Sequence, residues 1–286
     1  MNRKMKKKKT PCRLPRTFHA TFIPERHYVA EILRFAASWK EGTYQEIRDI
    51  TGIPMGEQSG KAQAILDYCR GMGLVFLEGK RQEAIKRPRL TDLGRKVFLE
   101  DRFLKESVTQ WVVHLNLCGA LTGADLWHQA FCLAAPHLGL RFTRKRLEEY
   151  LQLSYSTRRS GLIGPLLRTY QEDAALSRCG AIYEENGQVI RKPAPLESEF
   201  SFAYGAWLLQ LMADHFPNTN QISVSELEAC AGWQSICGWD TSGTQKVLLF
   251  IENKGLIEVD RHMNPWILRG RSWPQEAWGR LYEGLV

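Results

Sequence analysis

Apolar and polar positions follow one order along this chain, and that order is met three times. From His27 onward, Val29, Ile32, Leu33, Ala36 and Trp39 fall at helical spacing and predict one apolar helix face. Gly42 breaks that helix. Thr43 follows with Glu46 three residues on, the spacing of a capping box, which predicts a second helix through Ile47 and Ile50 that ends near Gly52 and Pro54. Ser59-Gly60 opens a third helix with Ala62, Ile65, Leu66 and Cys69 on its inner face, and Gly71 and Gly73 end it. The run KAQAILDYCRGMGLV, a basic stretch and then RPRLTDLGRKVF read as helix, strand, turn and return strand.

A longer helical region runs from about Thr109 to Leu133 with Trp111, Val112, Leu115, Leu117, Trp127 and Phe131, interrupted at Gly119 and Gly123. The second pass uses Phe142–Leu151, capped by Thr143, and then a helix from Ser156 to Tyr170 that Pro165 should kink or restart. Strands at 181–184 and 188–191 flank Asn186-Gly187, the favoured type I′ hairpin turn. Pro193 and Pro195 mark a linker. The third pass begins at Tyr204, with Trp207, Leu208, Leu211 and Met212 buried. Ser223 and Glu226 repeat the capping-box spacing, and Thr241 or Ser242 opens a helix carrying Val247, Leu248 and Ile251. Gly255 ends it, a strand follows at 256–259, residues 260–264 turn, and Trp266–Leu268 returns.

The pattern predicts a mainly α protein with small β-hairpins, built from tandem winged helix-turn-helix modules. The expected divisions are a disordered basic arm at 1–16, a winged-helix module at 17–106, a helical or winged-helix middle module at 107–198 and a C-terminal winged-helix module at 199–286.

Charge sharpens this picture. Of 39 Lys and Arg, eight lie in the first sixteen residues with no acid among them; the remainder equal the 31 Asp and Glu in number. The formal net charge of +8 therefore sits in the arm. A basic arm attracts polyanions, nucleic acid above all, in a salt-dependent way. No apolar run is long enough for a membrane span, and no apolar segment follows the lysines to make a secretory signal. The seven cysteines are odd in number and form no CxxC pair or Cys/His cluster, which argues against a disulfide framework and a zinc site and fits a reducing cytoplasm.

The chemistry expected is nucleic-acid contact. In the arm, Lys6, Lys7, Lys8 and Lys9 would meet phosphate. Gln58, Ser59, Lys61 and Gln63, at the start of the first recognition helix, would reach base edges. Lys80, Arg81, Lys86, Arg87 and Arg89, in the first wing, would hold the backbone, and Arg158 and Arg159 would act in the second recognition helix. The basic first wing suggests that the first module contacts DNA, and the mixed turn at 260–268 that the third contacts protein. Two histidine groupings, His19 with Thr21, Arg26 and His27, and His114 with His128, offer small polar sites, although a helical histidine is more often a hydrogen-bonded core residue. There is no P-loop, no GxGxxG after a strand, no GxSxG and no HExxH.

Two segments resemble a known family. Phe18-His19-Ala20-Thr21-Phe22, with Pro24 and Arg26, is similar to the opening motif of the domain-of-unknown-function family number four thousand and seven. LTDLGRKVFLEDRFLKESVTQWVVHLNLCGALTGADLWHQAF resembles that family's second conserved stretch, through Leu90, Thr91, Gly94, Phe98, Asp101, Phe103, Leu104, Thr109, Trp111, His114 and Trp127. The likeness covers roughly the first 170 residues. Phe18, Ala20 and Lys105 depart from it, standing where a glycine, a glutamate and an acid are expected, so no role of that glutamate carries over. The resemblance implies an accessory protein of bacterial anti-phage systems of the BREX or DNA-phosphorothioation type.

Together these readings predict a cytoplasmic DNA-binding accessory subunit, non-enzymatic and without cofactor or metal. Its partners would be double-stranded DNA and other subunits of a defence complex. The alternatives are a scaffold whose winged helices bind protein, and a transcriptional regulator.

Overall fold

The computed structural model describes residues 13–54, 60–79, 82–157 and 161–285. The chain opens with three helices, α1 (Arg26–Ala37), α2 (Tyr44–Thr51) and α3 (Lys61–Gly71), and a hairpin of β1 (Val75–Glu78) and β2 (Arg87–Leu90). Val75 stands opposite Leu90, and Gly42 bridges antiparallel to Lys86 just ahead of β2. The segment between α1 and α2 thus extends the small sheet. The capping box closes as its spacing predicts: Thr43 Oγ1 accepts from the Glu46 amide, and the Glu46 carboxylate accepts from the Thr43 amide at 2.7 Å. Gly52 then stops α2 in the left-handed conformation at φ 68°.

After α4 (Asp92–Glu100), the long helical region resolves into α5 (Ser107–Leu117) and α6 (Asp125–His128), broken across Gly119 and Gly123, and α6 continues through a π turn at Gln129–Leu133 into α7 (Ala135–Leu138). Then come β3 (Arg141–Phe142), α8 (Arg144–Ser154), α9 (Gly164–Gln171), β4 (Ile182–Glu185) and β5 (Gln188–Arg191). The sheet order is β3-β5-β4, so the strand ahead of α8 pairs with the second hairpin strand. Asn186 and Gly187 both take positive φ, 50° and 74°, as a type I′ turn requires.

The third pass is the most regular. It comprises α10 (Ser201–His215), β6 (Gln221–Ser223), α11 (Val224–Ala231), α12 (Trp233–Cys237), α13 (Thr241–Asn253), β7 (Ile257–Asp260) and β8 (Ile267–Gly270), in the order β6-β8-β7. Ser223 and Glu226 form the second capping box. A last helix, α14 (Pro274–Gly279), folds back on α10 and α4. Three times, then, a helix leads through an extended segment to two or more helices and a hairpin whose second strand pairs with that segment.

One continuous core runs through all three passes. Its centre is α5, buried on every side from Val108 to Leu115, with α10 beside it, apolar and covered around most of its circumference.

Three expectations are corrected. Trp39 does not complete the apolar face of α1; it lies past the helix end at φ 55° and is 69% exposed. The helix expected from Ser156 begins only at Gly164, because Ser156 takes positive φ and Pro165 fits the first helical turn, where its missing N–H costs nothing. The arm does not extend to residue 16. Leu14 is buried and bridges to Ala124, Arg13 pairs with Asp125 at 3.1 Å, and the Arg16 guanidinium lies 4.9 Å from the Tyr155 ring centre.

Candidate nucleic-acid interface

In each unit one helix stands directly ahead of the hairpin, where the sequence reading expects a recognition helix, and burial separates the three. On α3 every residue from Ala64 to Cys69 is buried, and Gln63 is the exposed position. Its outer face is covered by the chain start and by the centre of the molecule. Tyr68 packs edge-on against Phe18 (4.8 Å) and Trp127 (5.7 Å), and its hydroxyl donates to the Phe22 carbonyl. A methyl at Gly71 would stand 2.8 Å from both Leu14 and Leu117. Burial pushes the Tyr68 phenol well above its ordinary pKa.

The middle unit repeats this. Pro165, Leu166, Leu167, Thr169 and Tyr170 of α9 are buried. The exposed Arg168 pairs with Glu172, and Gln171 donates to Glu184. Tyr170 reaches the centre of the core, where its hydroxyl accepts from Trp127 Nε1 and lies 2.6 Å from His114 Nδ1. Burial drives the His114 pKa down to about 3, so the imidazole is neutral and shares a hydrogen bond with the Tyr170 hydroxyl. His128 contacts the Cys118 carbonyl through Nδ1 at 2.8 Å. His19 is buried against Phe18 and Trp127. These histidines are core members, and the two segments carrying the family resemblance pack against one another there.

The first wing looks basic in sequence, and its described basic residues are paired or buried. Arg87 pairs with Glu41 at 2.9 Å and Glu83 at 2.8 Å. Lys86 is buried, donates to the Glu83 carbonyl and lies over the Tyr44 ring. Arg89 is buried too, pairs with Glu78 at 2.8 Å and sits beneath Trp39, its guanidinium 4.9 Å from the ring centre. Lys61 pairs with Glu25 at 2.6 Å and lies 4.4 Å from the Tyr28 ring centre. Of the expected phosphate row, then, Lys86 and Arg89 are withdrawn by burial and Arg87 carries a compensated charge, as does Lys61 among the residues expected at base edges. Lys6, Lys7, Lys8, Lys9, Gln58, Ser59, Lys80, Arg81, Arg158 and Arg159 lie outside the described residues.

The third helix differs. Val247, Leu248 and Ile251 face the core, while Thr241, Ser242, Gln245, Lys246 and Leu249 are exposed in one stripe. Asp240 caps the helix by accepting from the Gly243 amide at 2.8 Å. Between this stripe and the β7–β8 turn lies a shallow groove lined by Ser242, Gln245, Lys246, Leu249, Arg261 and Trp266. The Arg261 guanidinium stacks on Trp266 (5.4 Å) and pairs with Glu252. These residues were not anticipated as a site. The sequence carries a signal in the polar run TSGTQK that opens this helix, whereas AILDYC in α3 leaves little polar face.

With that geometry established, the fold can be compared with known proteins. Two crystal structures of SspB share it. One, magnesium ion-bound, is 14% identical, with a TM-score of 0.69 over 94% of this chain and 88% of that chain. The other is 16% identical, with the same TM-score and coverage. At that identity the likeness is one of fold. No protein-family model matches the chain, and no curated protein matches it. Among the described residues no three His, Cys, Asp or Glu side chains gather as metal ligands. No helix among them is long and apolar enough to cross a membrane.

Proposed function

We propose that this chain is a non-enzymatic, DNA-binding accessory subunit of a bacterial anti-phage defence or DNA-modification system, and that its three repeated units are winged helices. The observation that carries the reading is the recurring sheet. In the middle and C-terminal units the strand ahead of the second helix pairs with the second hairpin strand, and in the first the Gly42–Lys86 bridge takes that place. That arrangement sets a helix and a hairpin side by side, the geometry with which winged helices grip a duplex. The excess of positive charge ahead of Arg13 adds a sequence-independent attraction to phosphate. The resemblance of the first 170 residues is what suggests a defence setting, and the shared SspB fold is compatible with it.

A second reading is favoured by one observation. Two of the three helices that would enter DNA, α3 and α9, are spent on internal packing, as expected of a scaffold that presents surfaces to other proteins. Fluorescence anisotropy of a labelled duplex with the full chain separates the two. Saturable binding that weakens with salt supports the first reading; no binding at low salt, with capture of a partner subunit, supports the second.

A further inference from the structure

The C-terminal unit differs from the other two in a way that assigns the DNA face. We infer that double-stranded DNA is contacted by the exposed stripe of α13 together with the β7–β8 hairpin; this rests on the DNA-binding reading above.

Three observations carry it. The first is access. A recognition helix must lie bare along its outer face to enter a groove about 12 Å wide. α3 and α9 are covered by the core, while α13 leaves Thr241, Ser242, Gln245, Lys246 and Leu249 uncovered. The second is chemistry. Ser242 and Gln245 supply the donors and acceptors that read base edges, and they stand in the first turns of α13, the part of a recognition helix that goes deepest. Leu249, 47% exposed, gives an apolar contact of the kind a thymine methyl accepts.

The third is charge. Lys246 makes no ion pair with any described residue; its ammonium lies 5.7 Å from the Phe250 ring centre. It is therefore available to phosphate, unlike Arg87, which two carboxylates already neutralise. Across 241–271 five basic residues outnumber three acidic ones. Arg269 and Arg271 absorb the charges of Glu258 and Asp260 on the hairpin, so no bare carboxylate borders the groove from that side. Glu252 is held by Arg261. The occupant that suits a polar helix stripe with a lysine unpaired among the described residues, beside a hairpin whose carboxylates are already neutralised, is a duplex.

The test measures duplex affinity of the full chain against Lys246→Glu and Gln245→Ala across a salt series. Both positions are exposed, and thermal melts establish that the variants fold. The inference expects Lys246→Glu to weaken binding about tenfold and to lower the salt slope by about one phosphate contact. Gln245→Ala should reduce discrimination between a preferred and a scrambled duplex. As a second readout, a photo-crosslinker replacing Gln245 should attach to DNA, and one replacing Glu149 on α8 should not. If the full chain binds duplex and both variants bind like it, with no crosslink at 245, the assignment to α13 is overturned while the DNA-binding reading stands. If the full chain fails to bind duplex at low salt, both fall together.

Discussion

The Tyr170 hydroxyl lies 2.6 Å from His114 Nδ1, at the point where the middle unit meets the central helix α5. Tyr170 accepts from Trp127 and shares a hydrogen bond with His114, so the hydroxyl is doubly engaged. Tyr170→Phe would strand the Trp127 N–H and the His114 nitrogen together. The expected loss is about 2 kcal/mol, since buried groups then lack partners. Urea unfolding at neutral pH measures it; an unchanged midpoint would mean the contact contributes nothing.

The same pair predicts an acid response. In the unfolded chain His114 takes a proton below its ordinary pKa of 6.5, and in the folded chain it resists protonation down to about 3. Between those values the unfolded state binds more protons, so stability falls as pH drops through this window and rises again as pH is raised. At pH 4 the histidine's share is about 3 kcal/mol. His114→Phe should therefore flatten the fall between pH 6.5 and 4 relative to the parent chain. Equal slopes for both proteins would show that His114 is not the group responsible.

The two capping boxes, Thr43 with Glu46 and Ser223 with Glu226, share no partner. Thr43→Ala and Ser223→Ala should each cost about 1 kcal/mol, and the double variant should lose close to both. A double variant no less stable than either single one would contradict this.

Gly94 sits inside α4, where alanine would ordinarily strengthen a helix. Here a Cβ would stand 1.8 Å from the Leu74 carbonyl oxygen, which also accepts from the Thr91 amide. Gly94→Ala should therefore destabilise strongly, by about 3 kcal/mol or more, because backbone has to move. A stabilised variant in a thermal melt would refute that close approach.

Arg191 ends β5 almost fully buried, and its Nη2 donates to the Ser235 carbonyl at 3.0 Å. Its guanidinium also lies 5.1 Å from the Phe131 ring centre. One side chain thus ties the middle hairpin to α12 of the C-terminal unit. Arg191→Ala should cost about 3 kcal/mol through lost hydrogen bonds and packing. Protease cleavage near 192–198 should quicken in that variant; an unchanged cleavage rate would remove Arg191 as the fastening.

Much of this fold was legible in sequence because its signals are local. Thr43 and Glu46 are three residues apart, Asn186-Gly187 adjoin, and Gly255 follows its helix directly. The site was less legible because its determinants lie far apart in the chain. Arg87 reads as a free cation until Glu41, 46 residues away, comes into contact. Arg89 reads as exposed until it is covered by Trp39, itself expected in the core. Sequence marks a helix as apolar on one side; it does not say that residues 13–25 and α5 will cover the other side of α3.

The central claim is that DNA binding belongs to the folded units, with the basic arm assisting. The most direct measurement is anisotropy of a labelled duplex over a salt series, comparing the full chain with a chain beginning at Arg13, which keeps the buried Leu14. The account predicts that the shorter chain still binds at roughly 50 mM salt, more weakly and with a shallower salt slope, because fewer counterions are released. Binding that disappears entirely with residues 1–12, or is absent from both chains, would contradict it.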